Sequence, residues 1–161
     1  MSLFPADNGE NDLFLSRTDP ENPFGTHAAY SFELEGKVWP TVEHYFQAMK
    51  FTDENRQEKI RTATTPARAG KLGRKRHKSL RPDWKKVRET VMTRAVYTRC
   101  RTYPDLAQAL LETGDQKIVE NSNYDYFWGC GRDRRGHNGY GKVLMNVRAK
   151  LRQEQAEASE Q

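Results

Sequence analysis

Trp39-Pro40-Thr41-Val42-Glu43-His44-Tyr45-Phe46-Gln47-Ala48-Met49-Lys50-Phe51 is the stretch from which the rest of the chain can be read. Pro40 and Thr41 open a helix. Thr41 serves as its cap, and Glu43 sits in the first turn, where the helix dipole favours a carboxylate. The helix is expected to run to about Asp53. Val42, Tyr45, Phe46 and Met49 fall at i, i+3, i+4 and i+7, an apolar stripe for the core. Glu43, Gln47 and Lys50 repeat at a similar spacing about 100° round the helix. A carboxylate able to move protons and an amine able to attack a sugar carbon or form a Schiff base thus face one way. Spacing alone is met more simply by a solvated face with a Glu-to-Lys pair. His44 lies off this stripe, either a surface residue or a neighbour of a site.

Outward from this helix the elements are short. Phe32-Glu33-Leu34-Glu35 alternates apolar and acidic before Gly36-Lys37-Val38-Trp39, which reads as a hairpin. Asp19-Pro20 and Asn22-Pro23 mark turns. A second helix is expected over 54–63. A third starts at Thr65-Pro66 and runs through Leu72, with Gly73 ending it. After a basic connection over 74–81, Arg81-Pro82-Asp83-Trp84 starts the longest helix, to about Arg101, with Val87, Val91, Ala95 and Thr98 as its seam. Pro104-Asp105 starts another through Leu111. A strand over 116–121, a glycine-rich loop over 129–141 and a closing helix over 142–153 complete the chain. The expected organisation is a flexible leader over 1–12, one domain over 13–153 and a polar tail over 154–161. The expected fold class is α+β, predominantly helical, in a single compact domain with a small β element.

A length of 161 residues suits one domain. No run of about 18 apolar residues exists, which excludes a membrane-spanning helix. The N-terminus has no apolar segment of a secretory signal, so the expected compartment is cytoplasmic. Cys100 and Cys130 lack metal-ligand spacing and read as buried thiols, and neither metal nor cofactor is expected. The net charge of +5 suits a phosphate-bearing partner, whether nucleotide or nucleic acid.

Three further clusters carry chemistry or packing. From Glu120 to Gly131, acidic, amide and aromatic groups precede the glycine-rich loop. Trp128 or Phe127 can stack on a base, and Asp125 or Glu120 can orient a ribose or a water; equally, the aromatics can be core and Asp125 a turn cap. Gly129, Gly131, Gly136, Gly139 and Gly141, with Asn138 among them, precede the last helix and can present backbone N–H groups to phosphate, or form a plain loop. Ten cations lie between Arg68 and Arg88, Arg74 among them. They suit phosphate as well as they suit a solvated face.

The Trp39–Phe51 stretch resembles the signature of the NADAR superfamily and its YbiA-like branch. Other pieces agree in order: Thr65-Pro66 with Leu72-Gly73-Arg74, Trp84 with Val91-Met92, Ile118-Val119-Glu120, Phe127-Trp128-Gly129, and Gly141-Lys142 with Leu144-Met145 and Arg148. The likeness covers about residues 13–151. It implies an N-glycosidase that hydrolyses the bond to the base in a phosphorylated riboside. One branch acts on ribosylamino-pyrimidine phosphates of riboflavin synthesis. Another removes ADP-ribose from guanine bases in nucleic acid, often opposite an ADP-ribosyltransferase toxin, through a lysine Schiff base. On this resemblance Glu43 is the general acid/base, Lys50 the nucleophile or stabiliser at C1′, and Asp125 the group that orients ribose or water. Trp39, Tyr45 and Trp128 stack on the base or seal the pocket, Arg74 holds phosphate, and His44, Gln47 and Asn138 complete the binding site. The competing reading is a non-catalytic module that binds ADP-ribose or nucleic acid. Two departures stand out. Many relatives read Phe-Ser-Asn-Phe where this chain has Phe24-Gly25-Thr26-His27, and Asn-x-Leu-Gly where it has Asn138-Gly139-Tyr140-Gly141.

Overall fold

The computed structural model describes residues 11–160. Most of the leader expected over 1–12 therefore lies outside the described residues. In chain order the elements are β1 (Leu13–Leu15), β2 (Phe32–Leu34), β3 (Lys37–Trp39), α1 (Val42–Ala48), α2 (Glu54–Arg61), α3 (Pro66–Arg74), α4 (Trp84–Thr102), α5 (Pro104–Glu112), β4 (Ile118–Glu120) and α6 (Gly139–Ser159). The fold is the expected helical α+β domain. None of the described helices is long and apolar enough to cross a membrane.

The expected hairpin forms between β2 and β3, with Phe32 opposite Trp39. Its two turn residues, Glu35 at φ 56° and Gly36 at φ 78°, both take left-handed backbone. Such a primed turn matches the twist of the strands it joins. The other two strands pair in parallel, Leu13 beside Ile118 and Leu15 beside Glu120. That pairing carries the segment after β1 to the segment after β4, a meeting the local sequence does not announce.

Every residue of α1 is buried, polar ones included. Thr41 caps it by accepting from the His44 N–H at 3.2 Å. The helix stops at Ala48 rather than near Asp53, because the next residues bond elsewhere. The Lys50 carbonyl accepts from the Arg81 N–H at 2.9 Å, the Thr52 N–H donates to Ser79 at 2.9 Å, and Asp53 caps α2. Around α1 pack α2, α3 and α4, and α6 closes the core against α4. The longest helix is α6, with 21 residues against 19 in α4, which reverses the expected order. It starts at Gly139, not 142, and continues through the expected tail to Ser159. Residues 154–159 are Glu, Gln, Ala and Ser, with no breaker among them. Glu154 is also held to α4, accepting from Tyr97 and paired with Arg101 at 3.2 Å.

Arg99 takes the buried place on α4 that Thr98 was expected to fill. Its guanidinium donates to the carbonyls of Gly25 and Phe24, the latter at 3.1 Å. Arg99→Met removes this donor from the Gly25 carbonyl and leaves the Phe24 carbonyl with the Tyr140 hydroxyl alone. We expect it to lower the unfolding free energy by about 2–4 kcal/mol, read from chemical denaturation. An unchanged midpoint would show that the 24–25 segment is held by other bonds.

Candidate active site

A cavity of about 320 Å³ opens between α1, α3, the start of α4 and three loops. Glu43 and Gln47 face it from successive turns of α1, and Lys50 from the turn that follows. Gly70 and Arg74 face it from α3, and Arg88 from α4. Arg17, His27 and Trp128 come from the loops. The expected Glu43–Gln47–Lys50 stripe thus looks into a cavity, not into solvent.

Glu43 is held on all sides. Its N–H donates to the Thr26 carbonyl at 3.0 Å. Its Oε1 accepts from Gln47 Nε2 at 2.7 Å, and its Oε2 lies 3.7 Å from His27 Nε2. The glycines of α3 make the room. A Cβ on Gly70 would stand 3.3 Å from Glu43 Oε1, and one on Gly73 would stand 2.0 Å from Gln47 Oε1. Gly73→Ala therefore must push Gln47 away and loosen Glu43. We expect it to cost about 1–3 kcal/mol of stability and to slow turnover; equal unfolding midpoints would show that Gln47 moves freely. Gln47 Oε1 is buried against Gly73 and has no hydrogen-bond partner.

Lys50 Nζ donates to the Gly73 carbonyl at 3.4 Å and stands 5.9 Å from the centre of the Phe46 ring. Burial lowers its pKa to about 8, helped by Arg74 and Arg88 and opposed by Glu43. At neutral pH about one lysine in ten is then a free amine, against fewer than one in a thousand for an exposed lysine. Only the free amine is a nucleophile.

Cations dominate the rest of the lining. Arg17 donates to Asp125 Oδ2 at 2.9 Å and lies 3.5 Å from Glu120 Oε2. Glu120 is wholly buried and also accepts from the Ser122 hydroxyl at 2.8 Å. The Arg88 guanidinium lies over the Phe127 ring, 3.2 Å from its centre. Arg17, Lys50, Arg74 and Arg88 thus face the cavity with Glu43 as the one carboxylate among its lining residues. Phe46, Trp84 and Trp128 form an aromatic wall, with Trp84 and Trp128 each about 5 Å from Phe46. Beyond Ala67 and Arg74 a second, shallower groove continues along α3, lined by Arg68 and Lys71.

Of the residues expected at the site, Glu43, Lys50, Gln47, Arg74 and Trp128 meet there. Five others do not line it. Trp39 is buried, donates from Nε1 to the Leu34 carbonyl at 3.0 Å and packs edge-on to Tyr45. Tyr45 donates to Glu35 at 3.0 Å, and burial raises its pKa to about 12. His44 Nε2 lies 3.0 Å from the Ala63 carbonyl, which can only accept, so Nε2 carries the proton and Nδ1 accepts from Thr41 at 2.8 Å. Its pKa is lowered, mainly by burial. Asp125 stands behind Arg17, its Oδ1 taken by the N–H groups of Phe127 and Trp128 at 2.9 and 2.8 Å. Asn138 clamps β4, accepting from the Glu120 N–H and donating to the Ile118 carbonyl, both at 2.8 Å. These five hold the scaffold; their polar atoms are spent before a substrate arrives.

The glycine-rich loop is corrected in the same way. The N–H groups of Asn138, Gly139 and Tyr140 donate to the carbonyls of Gly129, Phe127 and Trp128 at 2.8–3.0 Å, so they are not turned toward a phosphate. Its glycines instead allow close packing: a Cβ on Gly141 would stand 2.1 Å from the Ile118 carbonyl. Tyr140 is a repacked core position whose hydroxyl donates to the Phe24 carbonyl. Sequence reasoning did not find Arg17, which sits in an aperiodic segment. His27 stood out only as a departure from the family pattern.

Comparison with known proteins places the chain in a family. The family model for the NADAR domain matches residues 3–152. The chain is 41% identical to the N-glycosidase YbiA of Escherichia coli over 86% of both chains. It is also 41% identical to a riboflavin biosynthesis protein of Vibrio vulnificus, over 76% of this chain and 34% of that one. The solution structure of E. coli YbiA superposes with a TM-score of 0.80 at 39% identity, covering 91% of this chain and 89% of the other.

Proposed function

This chain belongs to the NADAR family and is an N-glycosidase, and on that premise we propose that it hydrolyses the bond between C1′ and the base nitrogen of a phosphorylated riboside through a Lys50–Glu43 centre. The observation that carries this reading is the buried amine of Lys50, with its lowered pKa, sharing a cation-lined cavity with the buried carboxylate of Glu43. Arg17, Arg74 and Arg88 suit the phosphate, and the aromatic wall suits the base.

In the first step the Lys50 lone pair forms a bond to C1′. The C1′–N pair goes to the base, which takes its proton from Glu43. In the second step water adds at C1′ and the bond to Nζ breaks, returning the amine. The preferred substrate is a ribosylamino-pyrimidine phosphate, supported by the riboflavin-linked relative and by a cavity of about 320 Å³. A second reading, ADP-ribose on guanine in DNA, is favoured by the groove at Arg68 and Lys71, which offers charge for a second phosphate. On that reading an ADP-ribosyltransferase supplies the substrate.

Base release from both substrates, followed in parallel by chromatography, tests the assignment. Turnover of the small phosphate alone makes this a metabolite-clearing glycosidase. Turnover of the modified oligonucleotide makes it a nucleic-acid repair enzyme, with the α3 groove as the DNA surface. Silence on both from folded protein overturns both substrate assignments.

A further inference from the structure

The three arginines that line the cavity are not equivalent. Arg17 already has anions: its terminal nitrogens reach Asp125 Oδ2 at 2.9 Å, and Glu120 Oε2 and the Ser122 hydroxyl at 3.5 Å. Arg74 is exposed at the end of α3. Arg88 differs from both. It is half-buried, and among the described residues no carboxylate, carbonyl or hydroxyl accepts from it. It brings to the cavity a charge and five N–H donors, none of them committed to the protein.

An aromatic ring holds it instead. The guanidinium lies over Phe127, 3.2 Å from the ring centre. The His137 ring stacks with Phe127, 5.3 Å between centres and 22° between planes. His137 is fixed in turn. Its Nε2 lies 2.5 Å from Glu89 Oε1, and Lys142 Nζ lies 3.1 Å from its Nδ1. An ammonium only donates, so Nδ1 accepts and Nε2 carries the proton given to Glu89. Glu89 follows Arg88 on α4, so the stack begins and ends on one helix. Backbone bonds bring the two rings together. The His137 N–H donates to the Tyr126 carbonyl and the Gly139 N–H to the Phe127 carbonyl, both at 2.8 Å. A Cβ on Gly139 would stand 2.8 Å from that Phe127 carbonyl, so the pairing needs glycine there.

We propose that Arg88 is the seat of the substrate's phosphate and that Phe127, stacked with His137, is the residue that positions it. This rests on the phosphorylated-riboside reading above. A guanidinium meets two phosphate oxygens with two parallel N–H bonds when its plane is fixed. Contact with a ring fixes that plane and leaves the N–H groups for the ligand. An anchor of the kind that Arg17 has would fix it by occupying them. The ring also carries no charge, so Arg88 keeps its attraction for an anion, whereas two carboxylates offset Arg17.

Phe127 also meets Trp128 edge-on, 4.7 Å between ring centres, and Trp128 belongs to the aromatic wall. A change at Phe127 therefore reaches both the phosphate and the base, and only a probe without a base isolates the first. The furanose of 1-deoxyribose 5-phosphate is such a probe. It carries the phosphate, and with no leaving group at C1′ it cannot bond to Lys50.

Calorimetry reads the affinity of this probe for wild type, Phe127→Leu, Arg88→Gln and the double variant. Arg88→Gln should weaken binding by about 10- to 100-fold, the loss of a charge-assisted pair, and Phe127→Leu by about tenfold. Once Arg88 is gone the ring has nothing to position, so Phe127→Leu should then cost less than about twofold. A Phe127 loss that persists undiminished without Arg88, or no loss in either single variant, overturns the proposal. Should Phe127→Leu fail to fold, His137→Ala at an exposed position serves in its place. It should weaken binding by about threefold, and an equal loss in the Arg88→Gln background contradicts the stack. Base release from the phosphorylated riboside is measured alongside. Turnover by a wild type that does not bind the probe overturns the Arg88 seat and leaves the glycosidase standing. Binding through Arg88 without turnover removes the substrate assignment, while the phosphate seat stands.

Discussion

Lys50→Ala should abolish reductive trapping of the sugar on the protein and lower base release by about 10³-fold or more. In the C1′–Nζ adduct the nitrogen lone pair can expel O4′, which takes up the proton shed by Nζ, and borohydride reduces the resulting imine to a stable secondary amine, so trapping requires this one nitrogen. The fold should survive the change, because the amine makes only a 3.4 Å bond to the Gly73 carbonyl. Stability should in fact improve. A lysine whose pKa is lowered from 10.5 to about 8 on folding binds its proton less tightly in the folded state. The unfolded chain therefore holds more protons between about pH 8 and 10.5, and stability rises with pH across that window. Below it the buried charge costs on the order of 2–3 kcal/mol. Lys50→Met, which keeps the volume, should be more stable than wild type by about that amount at pH 7, with the gain fading above pH 8. Denaturation at several pH values reads it directly. Trapping that persists in Lys50→Ala would move the nucleophile elsewhere, and a stability difference flat in pH would contradict the burial of the amine.

Glu43→Gln should slow base release by about 10²- to 10⁴-fold, the range for loss of a positioned acid/base. Its side-chain carbonyl can still accept from Gln47, so the shape of the site is kept. The diagnostic contrast lies in the leaving group. A pyridinium riboside phosphate loses its base as a neutral molecule and needs no proton. The penalty there should shrink to within about tenfold. Equal losses on both kinds of substrate would make Glu43 a structural residue and assign the acid elsewhere.

Glu43, Gln47 and Lys50 were legible beforehand because they lie on α1 and the turn that follows it. Helical spacing alone aligns Glu43, Gln47 and Lys50, and the hydrophobic stripe on the same helix tells which way it faces the core. Capping at Thr41 and Thr65 likewise follows from local bonds, and both caps form. Trp39, His44 and Tyr45 show where this reasoning stops. They stand beside the stripe in the chain, yet their polar atoms are taken by Leu34, Ala63 and Glu35. Nothing in a single helix reveals those partners.

The sequence by itself determined the helical α+β class, the hairpin, the family and the alignment of Glu43 and Gln47 on α1 with Lys50 just beyond it. Short-range periodicity, turn chemistry and an ordered set of motifs carry that information. The tertiary structure decided which charges the face meets. Parallel pairing of β1 with β4 places Arg17 against Glu120 and Asp125, 103 and 108 residues away. The Thr26 bonds bring His27 to Glu43. It also decided that Asn138 and the glycines before α6 serve packing rather than phosphate. Whether a polar group is spent or free depends on partners distant in sequence, and only the folded chain brings them within bonding distance.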